Sequence, residues 1–204
     1  LYAGYITDSM KSQWIEDANH TNSIYSEISN GLSYKYYFNN NIIGLSFSDV
    51  NLLNANFSKD LMRLVMEGNF NYQDETLDFN NTSIRADRYQ QYKLHYGFKG
   101  KKISMHTGLS YLAGNHHLSY IIEKGSLYTA PYGSYLDIEY NINSFITDTS
   151  DLSPFKNNGN GLAVDFGIKF NIQEKTVSLD LSNLGFIMWN TSSINVANDS
   201  TFIF

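Results

Sequence analysis

Apolar and polar residues alternate with period two along much of this chain. In residues 162–170, Leu162, Val164, Phe166, Ile168 and Phe170 fall on one face, and Ala163, Asp165, Gly167 and Lys169 on the other. After the polar turn at 171–175, Val177, Leu179 and Leu181 alternate with Thr176, Ser178, Asp180 and Ser182. Strict alternation on both sides of a tight turn predicts a β-hairpin with one apolar face. The pattern recurs around Asn39-Asn40-Asn41, with Leu32, Tyr34, Tyr36 and Phe38 before the turn and Ile43, Leu45 and Phe47 after it. It recurs again around Lys99–Lys102, flanked by Tyr92, Leu94, Tyr96 and Phe98 and by Ile103, Met105, Leu109 and Tyr111. Leu136, Ile138, Tyr140 and Ile142 predict one more strand.

Short turns therefore alternate with long polar connections. Transmembrane β-barrels have this asymmetry, with strands of ~10 residues that are apolar outside and polar inside. Phe38, Phe98, Tyr111 and Phe170 fall where interfacial aromatics would lie. The residues predicted to face lipid are Leu162, Val164, Phe166, Ile168, Val177, Leu179 and Leu181. Those predicted to face a polar lumen are Lys35, Lys93, His95, His106, Asp165, Lys169 and Asp180. Alternation alone is shared by a soluble sandwich or lipocalin-like barrel, whose polar face is simply solvated. Three hairpins with all turns at one end leave the strand parity unbalanced. A further strand is expected between 112 and 158, at 117–122 or 126–132.

Two segments break the period. Ser58 suits a helix N-cap, Phe57 and Met62 a hydrophobic staple, and Gly68 the C′ position, so 58–67 reads as a short helix with Leu61, Leu64 and Val65 on one face. It is expected at or in the barrel mouth. Met10, Trp14 and Ala18 predict another short helix within 9–20.

Composition agrees with a β fold. Charged residues make up 17% of the 204 positions and aromatics 15%, with 16 Tyr and 24 Asn. The formal net charge of −6, without a basic block, argues against a nucleic-acid partner. No cysteine is present, which excludes disulfides, thiolate zinc sites and thiol catalysis. No apolar run approaches a membrane helix. The chain opens within an apolar stretch, Leu1 to Ile6, and stops within another, Phe202 to Phe204, so 1–204 is expected to be one β-barrel domain that is incomplete at both ends.

Candidate chemistry is sparse. His116 and His117 are adjacent and would point to opposite faces of a strand, which disfavours a shared metal. His95 and His106 fall on facing strands with no third ligand evident, and Asp165 and Asp180 read as lumen electrostatics rather than an acid–base pair. No nucleophile elbow, phosphate loop or metalloprotease motif occurs. No catalytic residue, metal or cofactor is expected.

The stretch from Asn158 to Asn190 resembles a family of outer-membrane β-barrels of Bacteroidota with no assigned activity. The matching positions are Asn158 or Asn160, Gly161, Asp165 and Gly167, then Leu181, Leu184, Gly185, Ile187 and Trp189. Phe57-Ser-Lys-Asp-Leu with Glu67-Gly68-Asn69, and Gly108-Leu-Ser-Tyr-Leu-Ala-Gly114, look similar too. The resemblance extends to fatty-acid-transporter-like barrels and barrels that accompany type IX secretion. It implies a bacterial outer-membrane location, lipid contact, a longer native barrel of ~14 strands, and other envelope proteins as partners. The expected function is non-enzymatic: a subunit of a larger envelope complex, or a passive channel for a small or hydrophobic solute. The alternative is a soluble or cell-surface β-sandwich that binds glycans or proteins through Tyr- and Asn-rich loops.

Overall fold

The computed structural model describes residues 4–147, 153, 155–172, 175–190 and 194–203. Strand β1 (Thr21–Phe38) turns at Asn39-Asn40 and pairs along its whole length with β2 (Asn41–Ser58). Asn39 takes the left-handed conformation (φ 51°) that so short a connection requires. Next to β2 runs β4 (Thr82–Lys99), which leads through a second tight turn into the 27-residue β5 (Ile103–Thr129). The short β3 (Thr76–Asp78) pairs with the far end of β5.

Past β5 the strand paths divide. The upper half of β5 pairs with β6 (Leu136–Ile146) and its lower half with β7 (Gly159–Ile172). In turn, β8 (Lys175–Trp189) pairs with β7, and β9 (Ile194–Ile203) pairs with β6. Thus β6 and β7 are two parts of one descending path, and β8 and β9 two parts of one ascending path. This resolves the parity without another strand: 117–122 lies inside β5, as does 126–129.

All ladders are antiparallel and form one sheet. The all-β expectation holds, but the sheet is not closed into a barrel. Among the described residues, β1 pairs only with β2, while β8 and β9 pair only with β7 and β6. Six strand paths make an arc; about eight are needed before a barrel interior just accommodates its side chains.

The arc is curved toward one face. Asn183 on β8 hydrogen-bonds to Gln91 and Lys93 on β4, with β7 and β5 lying between. In a flat sheet those strands would stand ~14 Å apart, beyond the reach of these side chains. On the concave face polar and small side chains are buried: Ser110 is 0% exposed, Ala163 2% and Asp165 7%. On the convex face large apolar ones are open, among them Leu184 at 65% and Leu179 at 56%. This inverts the usual soluble arrangement of apolar core and polar exterior.

Both short helices form. Helix α1 (Asp8–Asp17) is capped by Thr7, and α2 (Lys59–Glu67) by Ser58, whose hydroxyl accepts from the Leu61 amide at 3.1 Å. Gly68 ends α2 with φ 77°. Helix α2 lies at the strand ends opposite the tight turns, but its apolar side does not turn into the concave mouth. Leu61, Met62, Val65 and Met66 line a hollow of about 320 Å³ with Ile24, Ala55, Phe57 and Ile84. Ile24, Ala55 and Ile84 share a cross-strand row whose parity is that of the exposed Leu32, Leu45 and Leu94, so this hollow is on the convex side.

Candidate functional site

The concave face near the turns is built from cross-strand rows in which glycines separate most of the large polar residues. One row reads Lys35, Gly44, His95, Gly108, Asp165 across β1, β2, β4, β5 and β7. The next reads Tyr37, Ile42, Gly97, His106, Gly167, Asp180. Side chains on one face of neighbouring strands are only ~5 Å apart, so on a concave surface two bulky groups crowd each other. Glycine supplies the room. The His95 ring occupies the space a Cβ on Gly44 would need, the His106 ring that of Gly167, and the Asp165 carboxylate that of Gly108.

This arrangement fixes the polar contacts. Lys93 Nζ meets Asp165 Oδ2 at 2.6 Å and also donates to Asn183 Oδ1 at 3.0 Å. Asp165 further accepts from the Asn183 amide at 2.6 Å. Asn183 is left-handed (φ 54°) and lies in a β-bulge facing Asp165. Gln91 donates to Asn183 and to the buried Ser110. His106 lies 3.4 Å from Asp180, which also accepts from Ser182.

Lys35, Lys93, His95, His106 and Asp165 line a single cavity of about 420 Å³. Lys169 and Asp180 share their face nearer the turns and are exposed. His95 and His106 lean over glycines on opposite sides of their hairpin, Gly44 on β2 and Gly167 on β7, so the two rings do not converge. Asp165 and Asp180 have separate partners.

A second cluster occupies the concave face where β5 changes partners. A bulge between Arg88 and Tyr89 sets Gly114 and His116 against successive residues of β4 and leaves Asn115 over, fully buried. Asn115 donates to the Lys156 carbonyl at 2.7 Å, and Asn158 donates back to the Asn115 carbonyl at 2.7 Å. His117 follows, with Nδ1 2.5 Å from Asp87 Oδ1, while Arg85 holds the other carboxylate oxygen at 2.7 Å. The imidazole stacks on Trp189 with centroids 4.9 Å apart. Gly114 and Gly159 leave space for the indole.

Sequence reasoning missed Gln91, Ser110, Asn183, Asp87 and His117 as members of these networks. Period two gives the face of Gln91 and Ser110 but not their partners. The bulges at Asn183 and Asn115 change the phase, so His117 falls inside only after the shift. Trp189 is part of the motif that carries the family resemblance, yet its stacking partner is 72 positions away, a separation no local pattern reveals.

On the convex face, Leu162, Val164, Phe166, Val177, Leu179 and Leu181 are exposed and Ile168 is half-exposed. No second sheet covers them among the described residues. Phe47, Tyr92 and Tyr111 form a row across three strands, with centroids 5.2 and 6.2 Å apart. One step above this row, away from the turns, Asp49 accepts from Nε and Nη2 of Arg88 and from Gln90. Tyr111 donates to Asn160 at the same level. From Tyr92 to Phe98 near the turns is ~20 Å along the strand.

The model of a family of unknown function, DUF5723, matches residues 5–204. The chain therefore belongs to that family. No curated protein and no solved structure matches it.

Proposed function

We propose that this member of the DUF5723 family is part of the wall of a bacterial outer-membrane β-barrel, with the convex face in lipid and the concave face lining a polar lumen. The observation that carries the reading is the inverted burial. Along β7, buried Gly161, Ala163, Asp165 and Gly167 alternate with exposed Leu162, Val164 and Phe166, and along β8 exposed Val177, Leu179 and Leu181 alternate with polar Ser178, Asp180 and Ser182. In water such a surface would be one large apolar patch, which soluble monomers avoid. In a bilayer it is the stable arrangement.

The apolar band has the dimensions of a membrane. It runs from the turns to the Phe47–Tyr92–Tyr111 row, about the height expected of an outward apolar band with aromatic girdles. The Asp49–Arg88 pair just beyond would stand at headgroup level. The upper strands and α2 would project outside. Unpaired strand edges in hydrocarbon cost several kcal/mol per backbone group, so in this reading the β1 and β8 edges meet further strands of a larger barrel.

Between the two non-enzymatic roles, the geometry favours passive passage of a small solute. The 59–81 connection sits at the rim and leaves the cavity between Lys35 and Asp165 uncovered. A role as subunit of an envelope complex is supported by the exposed aromatic tips Tyr132 and Phe155 beyond the strands.

The test uses single cysteines, which this cysteine-free chain permits, carrying an environment-sensitive fluorophore with the protein in lipid vesicles. Spin-labelled lipids should quench probes at Leu179 and Phe166 and spare those at Ser178 and Asp180. Equal quenching of both sets, or a protein that stays monodisperse without detergent or lipid, would sink the membrane reading.

A further inference from the structure

The charges of this acidic chain are not evenly spread. On the concave face near the turns lie Lys35, Lys93 and Lys169, and the turns themselves add Lys99, Lys101, Lys102 and Lys175. Among the described residues of this half, only Asp165 and Asp180 are acidic; Glu174 lies outside the described residues. The opposite half holds nearly all other carboxylates among the described residues, which gives a chain of formal net charge −6 a cationic end.

Within that end, the 420 Å³ cavity has a distinct donor set. Its one carboxylate, Asp165, is already satisfied by Lys93 and by the Asn183 amide. Lys35 lines the same cavity, and among the described residues it has no hydrogen-bond or ion-pair partner. The hydroxyls of Ser33, Ser46 and Tyr37 surround it. His95 Nε2 is buried against Gly44 with no hydrogen-bond partner among the described residues. A cation without a counter-charge, ringed by donors in a concave site, is the arrangement that holds a small anion.

We propose that this cavity is a binding site for a small oxyanion, a phosphate or a carboxylate, with Lys35 supplying the charge, Ser33 and Ser46 the neutral donors, and the lysines of the turns a surrounding positive field. The inference deepens the lumen reading, since in a barrel the site would stand in the solute path. It does not require conduction, because the cavity belongs to this chain alone.

The experiment is therefore equilibrium binding, with the full protein in lipid nanodiscs at low ionic strength. Inorganic phosphate is followed by phosphorus NMR and acetate by equilibrium dialysis. Saturable binding of one anion per chain is expected. Lys35→Gln should weaken it about tenfold, the loss of one charge-assisted contact. Lys59→Gln on α2, at the opposite strand ends, should change it less than about twofold. Lys35 is exposed on an edge strand, so its variant retains the fold; strand content by circular dichroism checks this. Absence of saturable binding to the parent chain overturns the proposal, as does binding that survives Lys35→Gln unchanged. If lipid quenching fails while anion binding holds, the membrane reading falls and the site stands; the reverse result removes the site alone.

Discussion

Asp165 on β7 reaches over Gly108 of β5 to meet Lys93 of β4 at 2.6 Å. The ion pair skips a strand, which is feasible only because the residue between has no side chain and the sheet curls toward this face. It ties three strands together through one glycine.

Gly108→Ala should therefore be destabilising, by about 1–3 kcal/mol, because its Cβ would stand 2.5 Å from Asp165 Oδ2 and force the pair apart. Gly97 lies on the same face, yet a Cβ there meets nothing closer than 3.7 Å. Gly97→Ala should be close to neutral. Denaturant unfolding of both variants in lipid or detergent makes the comparison, and equal losses would show that the glycines serve the backbone and not the pair.

Leu181 lies mid-way along the exposed apolar series of β8. If this series faces hydrocarbon, Leu181→Arg should cost ~2–4 kcal/mol, whereas Ser178→Arg on the concave side should cost much less. Reversible unfolding from vesicles gives both numbers. A small effect at Leu181 would mean that water, not lipid, covers this face.

Ser58 joins α2 to the sheet twice: it accepts from the Leu61 amide and donates to the Asp78 carbonyl at 2.6 Å. Ser58→Ala should lower the stability of α2 by about 1 kcal/mol through loss of the cap. Faster hydrogen exchange at Leu64–Gly68, with strand amides unchanged, is the expected signature, and Ser58→Thr should recover most of it.

Tyr72, outside the strands, keeps its proton unusually long. Burial first, then donation to the Glu67 carboxylate, push its phenol up to about 12. An unfolded tyrosine ionises near ~10. The raised value means that the folded state holds a proton the unfolded chain has lost, so the Tyr72–Glu67 contact stabilises fully below pH ~10 and is lost as pH rises toward 12. Amide exchange in α2 should accelerate across that window, and Tyr72→Phe should remove the pH dependence. A parent chain with no change between pH 10 and 12 would refute it.

Period two and turn chemistry by themselves determined the turn-proximal parts of the hairpin strands and most of β6, the three tight hairpins, which of those residues share a face, and the start and end of α2; β3 and β9 were not legible in them. These are local properties, written in alternation and in caps a few residues long. Thus Lys93, Asp165 and Asp180 are legible as one polar face. Tertiary structure alone decided which of them meet, because partners such as Lys93 and Asn183 are 90 positions apart and a bulge resets the phase between Val164 and Phe166. It also decided that the long β5 serves two partners, with Asn115 at the change, and that α2 turns its apolar side to the convex rim. Curvature, register and bulges are cooperative properties of the whole sheet, and no short window of sequence encodes them.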